Sequence, residues 1–114
     1  MWKKSLNLVT EIYKITSSFP QEEVFGLVSH LRKTAISIPS NIAEGAGRHT
    51  KKEFVNFLHI SQGSLSELDT QMELSLRLRY IDENTWGAGH TMLDNLEIYN
   101  LNHFKPLQRH DEPL

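Results

Sequence analysis

Six histidines and a series of serines are the side chains best suited to chemistry in this sequence. His30, His49, His59, His90, His103 and His110 include no pair three or four residues apart, and none follows a glutamate at the third position. A metal held between helices needs such spacings, the Glu-x-x-His pair above all, to bring ligands to one point. Cysteine is absent, which removes thiolate catalysis, disulfides and Cys-based metal sites together. Ser37, Ser40, Ser61, Ser64 and Ser66 offer hydroxyls, but a serine nucleophile needs a base in reach, and no G-x-S-x-G elbow occurs. The expectation is a protein that is not an enzyme and uses neither a metal nor a cofactor.

Two polar patterns remain. The stretch "SIPSNIAEGAGR" places Ser37, Asn41, Glu44 and Arg48 at steps of four, three and four, one stripe of a helix. Ser64, Glu67 and Gln71 repeat the pattern further along. Such stripes read either as a groove for a ligand or RNA, or as a polar layer in which every group is bonded within the fold. The second reading is favoured, because Glu44 and Arg48 pair in the preferred order and Ser and Asn side chains suit backbone groups disturbed by Pro39. Gly45 and Gly63 then serve close helix approach. Arg48, His49, Lys51 and Lys52 form a basic cluster with no aromatic among them to stack on a base.

These residues need elements to position them, and four amphipathic helical segments are legible. The first runs from about Lys3 to Ser17, with Leu8, Ile12, Ile15 and Phe19 on one face, and "SSFP" ends it. The second begins near Gln21 and carries the seam Val24, Val28, Leu31, Ala35, Ile38, Ile42 and Gly45, stepping four and three as in helices packed at shallow angles. Pro39 interrupts the bonding but not the register, so one kinked helix is expected. Thr50 and Glu53 have capping-box spacing, and the third helix follows to about Arg79 through Phe54, Leu58, Ser61, Leu65, Leu68, Met72 and Ser75. Asp82 or Thr85 caps a fourth, with Leu93, Leu96, Tyr99, Asn100, His103 and Leu107 inward, fraying at Gly87 and Gly89 and ending near Pro106. Residues 105–114 read as a flexible tail. The expected architecture is all-α, an antiparallel up-down-up-down four-helix bundle with a proline-kinked second helix.

The 114 residues make one domain, and 39% hydrophobic with 23% charged side chains fits an ordinary folded protein. Twelve basic against fourteen acidic side chains give a net charge of −2, so no overall field draws the molecule to nucleic acid or anionic lipid. No apolar run suits a membrane span, and the start lacks the apolar core of a signal peptide. A cytoplasmic protein without membrane contact or small-molecule substrate is expected.

"EIYKITSSFP", "EEVFGLVSHLRKTAISIPSNIAEGAGR" and "KKEFVNFLHISQGSLSELDTQ", in that order and spacing, resemble the 23S ribosomal RNA intervening-sequence proteins over nearly the whole chain. The resemblance implies a small bacterial four-helix bundle that assembles as a homopentamer, with kinship to RNA-associated accessory proteins of diversity-generating retroelements. It implies a non-enzymatic scaffold or adaptor whose partner is another protein or an RNA. Ser37, Pro39, Ser40, Asn41, Glu44, Gly45, Gly63, Ser64 and Glu67 then form a structural or subunit-interface motif. Arg48, His49, Lys51 and Lys52 become candidate phosphate contacts, five sets of which in a ring would bind by avidity. Two features oppose diffuse RNA binding. Gln62 stands where a basic residue is common, and a pentamer carries five times −2, or −10.

Overall fold

A computed structural model describes residues 1–96 and Ile98. Helices α1 (Trp2–Thr16), α2 (Leu27–Ala46), α3 (Lys51–Arg77) and α4 (Glu83–Asp94) account for the regular structure, with a single 3-10 turn at Gln21–Glu23 and no strand among the described residues. Each helix packs on its neighbour in sequence, and α1 closes the circuit against α4. Facing residues run in opposite directions: Ile38 meets Ser61 while Ser37 meets Ser64, and Lys4 reaches Asn95. The fold is an antiparallel four-helix bundle. At 1.5 Å per residue α3 is about 40 Å long, close to the molecule's 43 Å long axis.

The seams form the core. On α3 all seven expected positions are buried, with Gln71 beside them. On α2 the seam is buried from Val28 to Gly45, and the helix runs through Pro39 without a break, so the two halves are one element. On α1 Leu8 and Ile12 are buried, as is Phe19 just beyond its end, together with Ser5 and Thr16, whose hydroxyls donate to Trp2 O at 2.6 Å and Ile12 O at 2.7 Å. Burying those hydroxyls is tolerated because each is bonded within its own helix.

The start of α2 differs from the expectation. It begins at Leu27, not near Gln21, because the Gln21–Glu23 turn is followed by Gly26 at φ −107°, ψ −111°, off the helical path. A Cβ on Gly26 would lie 2.9 Å from Glu23 Oε1. Val24 therefore leaves the seam, and Phe25 points into solvent, 95% exposed.

At the other end of α3, Arg79 takes φ 63° while Tyr80 N–H donates to Ser75 O (2.9 Å) and Arg79 N–H to Leu76 O (3.0 Å). This is a Schellman stop with arginine where glycine is usual. It aims Tyr80 at the α1–α2 connection, where its ring lies 5.2 Å from Phe19 and its hydroxyl donates to Glu23 Oε2 at 2.8 Å.

Asp82 caps α4, accepting from Thr85 N–H at 2.7 Å. The helix is continuous through Gly87 and Gly89 rather than frayed, and it closes at Asp94, earlier than expected, with Asn95 N–H donating to Thr91 O at 3.0 Å. Gly89 lies against α3: a Cβ there would collide with Met72 Cε. Leu93 and Leu96 are buried as expected. Tyr99, Asn100, His103, Pro106, Leu107 and the tail at 105–114 fall outside the described residues.

The capping groups make stability depend on pH in opposite senses. The backbone N–H of Thr85, then its hydroxyl, hold the Asp82 carboxyl below the usual carboxylate value. A depressed folded value adds stability above the unfolded pKa and loses it as pH falls through the folded one. The hydrogen bond to Glu23, then burial and the nearby carboxylate charges, hold Tyr80 above its ordinary 10.0, so its contribution persists below that value and disappears as pH rises past it. Thermal unfolding across pH should show Asp82→Asn flattening the acid limb alone and Tyr80→Phe the alkaline limb alone. Unchanged limbs in both variants would contradict these assignments.

Candidate functional site

The polar stripe of α2 is realised mostly as bonds within its own helix. Ser37 Oγ donates to Thr34 O (2.6 Å), Ser40 Oγ to Ile36 O (2.8 Å) and Asn41 Nδ2 to Ser37 O (2.8 Å). From α3, Ser61 Oγ donates to Ile38 O at 3.2 Å. A proline at position 39 withdraws an N–H, so what it leaves short of partners is carbonyls. The carbonyl opposite Pro39 is that of Ala35, whereas these side-chain donors reach the carbonyls of Thr34, Ile36, Ser37 and Ile38, so none of them replaces the missing bond.

One hydrogen bond links the two stripes: the Ser37 and Ser64 hydroxyls lie 2.6 Å apart. A hydroxyl has one proton and a carbonyl only accepts, so Ser37 gives its proton to Thr34 and Ser64 supplies the one between them. Among the described residues no base is hydrogen-bonded to either hydroxyl, and nucleophilic activation needs one. His30, Lys33, Thr34, Ser37, Ser64 and Glu67 line an open groove of about 340 Å³ beside this pair. Further along α3, Gln71 Nε2 donates to Glu67 Oε1 at 3.4 Å, while Gln71 Oε1 and Trp86 Nε1 are buried with no hydrogen-bond partner among the described residues.

The two glycines of the motif behave differently. A Cβ on Gly45 would stand 2.8 Å from Phe57 Cβ and 3.3 Å from Phe54 O, so α2 and α3 approach closely there. Gly63 is exposed, and no described atom lies within 4 Å of where a Cβ would stand, so it serves no close approach among the described residues.

The basic cluster is partly neutralised. Arg48 pairs with Glu44 at 2.7 Å, lies 4.0 Å from Glu53, and sits 5.0 Å from the Phe57 ring centre. His49, Lys51 and Lys52 are exposed around the first turn of α3. Thr50 Oγ1 accepts from Glu53 N–H at 3.2 Å and donates to its carboxylate at 3.0 Å. The carboxylate thus returns to the cap's hydroxyl, where a capping box would use the backbone N–H.

Histidine supplies one constellation that spacing did not reveal. His90 Nδ1 lies 3.1 Å from Asp69 and Nε2 3.8 Å from Asp94, with its ring stacked on Trp86 at 4.9 Å. These groups come from α3 and α4, so only the folded chain assembles them. Among the described residues no three His, Asp or Glu side chains are grouped to hold a metal ion.

A second feature, also missed, is a groove of about 550 Å³ between α1 and α2 whose lining includes Tyr13, Val24, Phe25, Val28, Arg32 and Ile36. The guanidinium of Arg32 lies 4.4 Å from the Tyr13 ring centre, and its Nε donates to Thr16 Oγ1 at 2.9 Å. One signal was available: Phe25, like Leu27 and Ile36, is a large apolar residue that stands off the four-and-three seam.

No helix among the described residues is long and apolar enough to cross a membrane. The fold is similar to the crystal structure of a protein of unknown function from the S23 ribosomal protein family of Bacteroides thetaiotaomicron VPI-5482. The TM-score is 0.74 and the identity 24%, over 88% of this chain and 92% of that one. No curated protein matches the sequence. The sequence model for the 23S rRNA-intervening sequence protein matches residues 1–101, and the chain belongs to that family.

Proposed function

We propose that this chain is a non-enzymatic scaffold of the cytoplasm that works as a homo-oligomer, with five subunits as the resemblance implies. The observation that carries the reading is the apolar surface left outside the bundle. Phe25, Leu78, Leu74, Ile60, Ile36, Tyr13, Val24 and Leu6 are all exposed on a small domain whose core is already closed. Of these, Tyr13, Val24, Phe25 and Ile36 border one groove, and a contiguous apolar patch marks a surface meant to be covered by protein. Native mass spectrometry tests it: five chains of 13.2 kDa give about 66 kDa, and a monomer overturns the reading.

A second reading rests on the exposure of His49, Lys51 and Lys52 at the α2–α3 turn. There the chain is an RNA-binding accessory, with Arg48 as the fourth contact once released from Glu44. Binding would weaken steeply with salt, since each phosphate neutralised releases counterions. Lys51→Glu with Lys52→Glu is expected to abolish retention of RNA in a filter-binding assay. Unchanged retention would remove this reading and leave the scaffold.

A further inference from the structure

We propose that Phe25 of one copy of this chain seats in the α1–α2 groove of a second copy; the inference rests on the homo-oligomeric reading and names the face it uses. Phe25 is 95% exposed although it stands at the rim of an apolar groove, so its own groove does not cover it. The break at Gly26 turns it outward just before α2 begins. A lone aromatic knob beside an open groove is the arrangement from which interface anchors are made.

Charge selects the occupant. The knob follows Glu22, which is exposed and makes no ion pair among the described residues. The groove is bordered by Arg32 and Lys33, neither of which makes an ion pair among the described residues, although Lys33 also borders the groove that Glu67 lines. Arg32 instead lies over Tyr13 and bonds Thr16 Oγ1 and Tyr13 O. An acidic-flanked apolar knob and a basic-flanked apolar groove on one molecule complement a second copy of that molecule. The far end of the groove, at Ile36, is about 15 Å along α2 from the knob. Phe25 borders the near end of this groove and Ile36 its far end, so a knob seated toward Ile36 of the second copy makes a contact that repeats head to tail until a ring closes.

Sedimentation of the full chain, with circular dichroism as a folding control, tests this. Phe25→Ser removes an exposed side chain and should leave helix content unchanged while weakening association roughly 30-fold or more. Lys33→Glu should weaken it less, and adding Glu22→Lys to that variant should restore it. Wild-type assembly that survives Phe25→Ser overturns this face and leaves the oligomeric reading standing. Failure of the charge exchange to restore assembly also overturns it. A wild-type chain that is monomeric overturns both, and leaves the face to a different protein.

Discussion

Phe54→Ala is expected to remove about 3–5 kcal/mol of stability, the usual range for truncating a fully buried phenylalanine. Phe54 is 0% accessible in the first turn of α3 and lies against Gly45, where a built Cβ would come within 3.4 Å of its ring. Truncation would leave a void at the place where α2 and α3 approach closely, with backbone on both sides that resists collapse. Domains of this size have about 5–15 kcal/mol in total, so the loss is a large share of the whole. Urea unfolding should show it as a lower midpoint. A loss below about 1 kcal/mol would mean the site collapses freely, in conflict with the close packing at Gly45.

Gly45→Ala and Gly63→Ala should have opposite signs. Both replace a helical glycine by the best helix former, a gain of about 1 kcal/mol in an open position. At Gly63 the space is open, so that gain is expected in the isolated chain. At Gly45 the new methyl meets Phe57 Cβ and Phe54 O, atoms fixed to the α3 backbone. Overpacking of this kind costs about 1–3 kcal/mol, which outweighs the propensity gain. Thermal melts of the two variants decide it, and a stabilised Gly45→Ala would contradict the close approach.

The same pair shows what the sequence could and could not disclose. Period four-and-three picked out the α3 core from Phe54 to Ser75 because each step reports which side of one helix is apolar. It could not say which glycine faces a neighbour, since that depends on the rotation of α3 against α2. Phe25 was missed for a related reason. Its exposure follows from the backbone at Gly26, and a residue that leaves the helical path escapes a periodic rule. The early close of α4 at Asp94 has the same character, for the apolar spacing runs on through Leu96 after the helix has stopped.

At the candidate site, the sequence supplied the residues and the fold supplied their partners. Glu44 with Arg48 was legible because both lie four apart on one helix, and the pair forms at 2.7 Å. The Ser37–Ser64 contact spans 27 residues and depends on helix register. His90 with Asp69, and Tyr80 with Glu23, likewise join distant segments, whereas His90 and Asp94 lie four apart on one helix. Such distant pairs appear only when antiparallel helices fix which residues face one another. The polar side chains around Pro39 were legible, but they bond the carbonyls of Thr34, Ile36, Ser37 and Ile38 and not that of Ala35, which the proline leaves without its N–H partner.

Light scattering on a size-exclusion column, with absorbance at two wavelengths and protein purified without nuclease, tests the central claim most directly. A mass of about 66 kDa, five times 13.2 kDa, with a protein-like absorbance ratio is the predicted result. A mass of 13.2 kDa at every concentration would contradict the oligomeric scaffold.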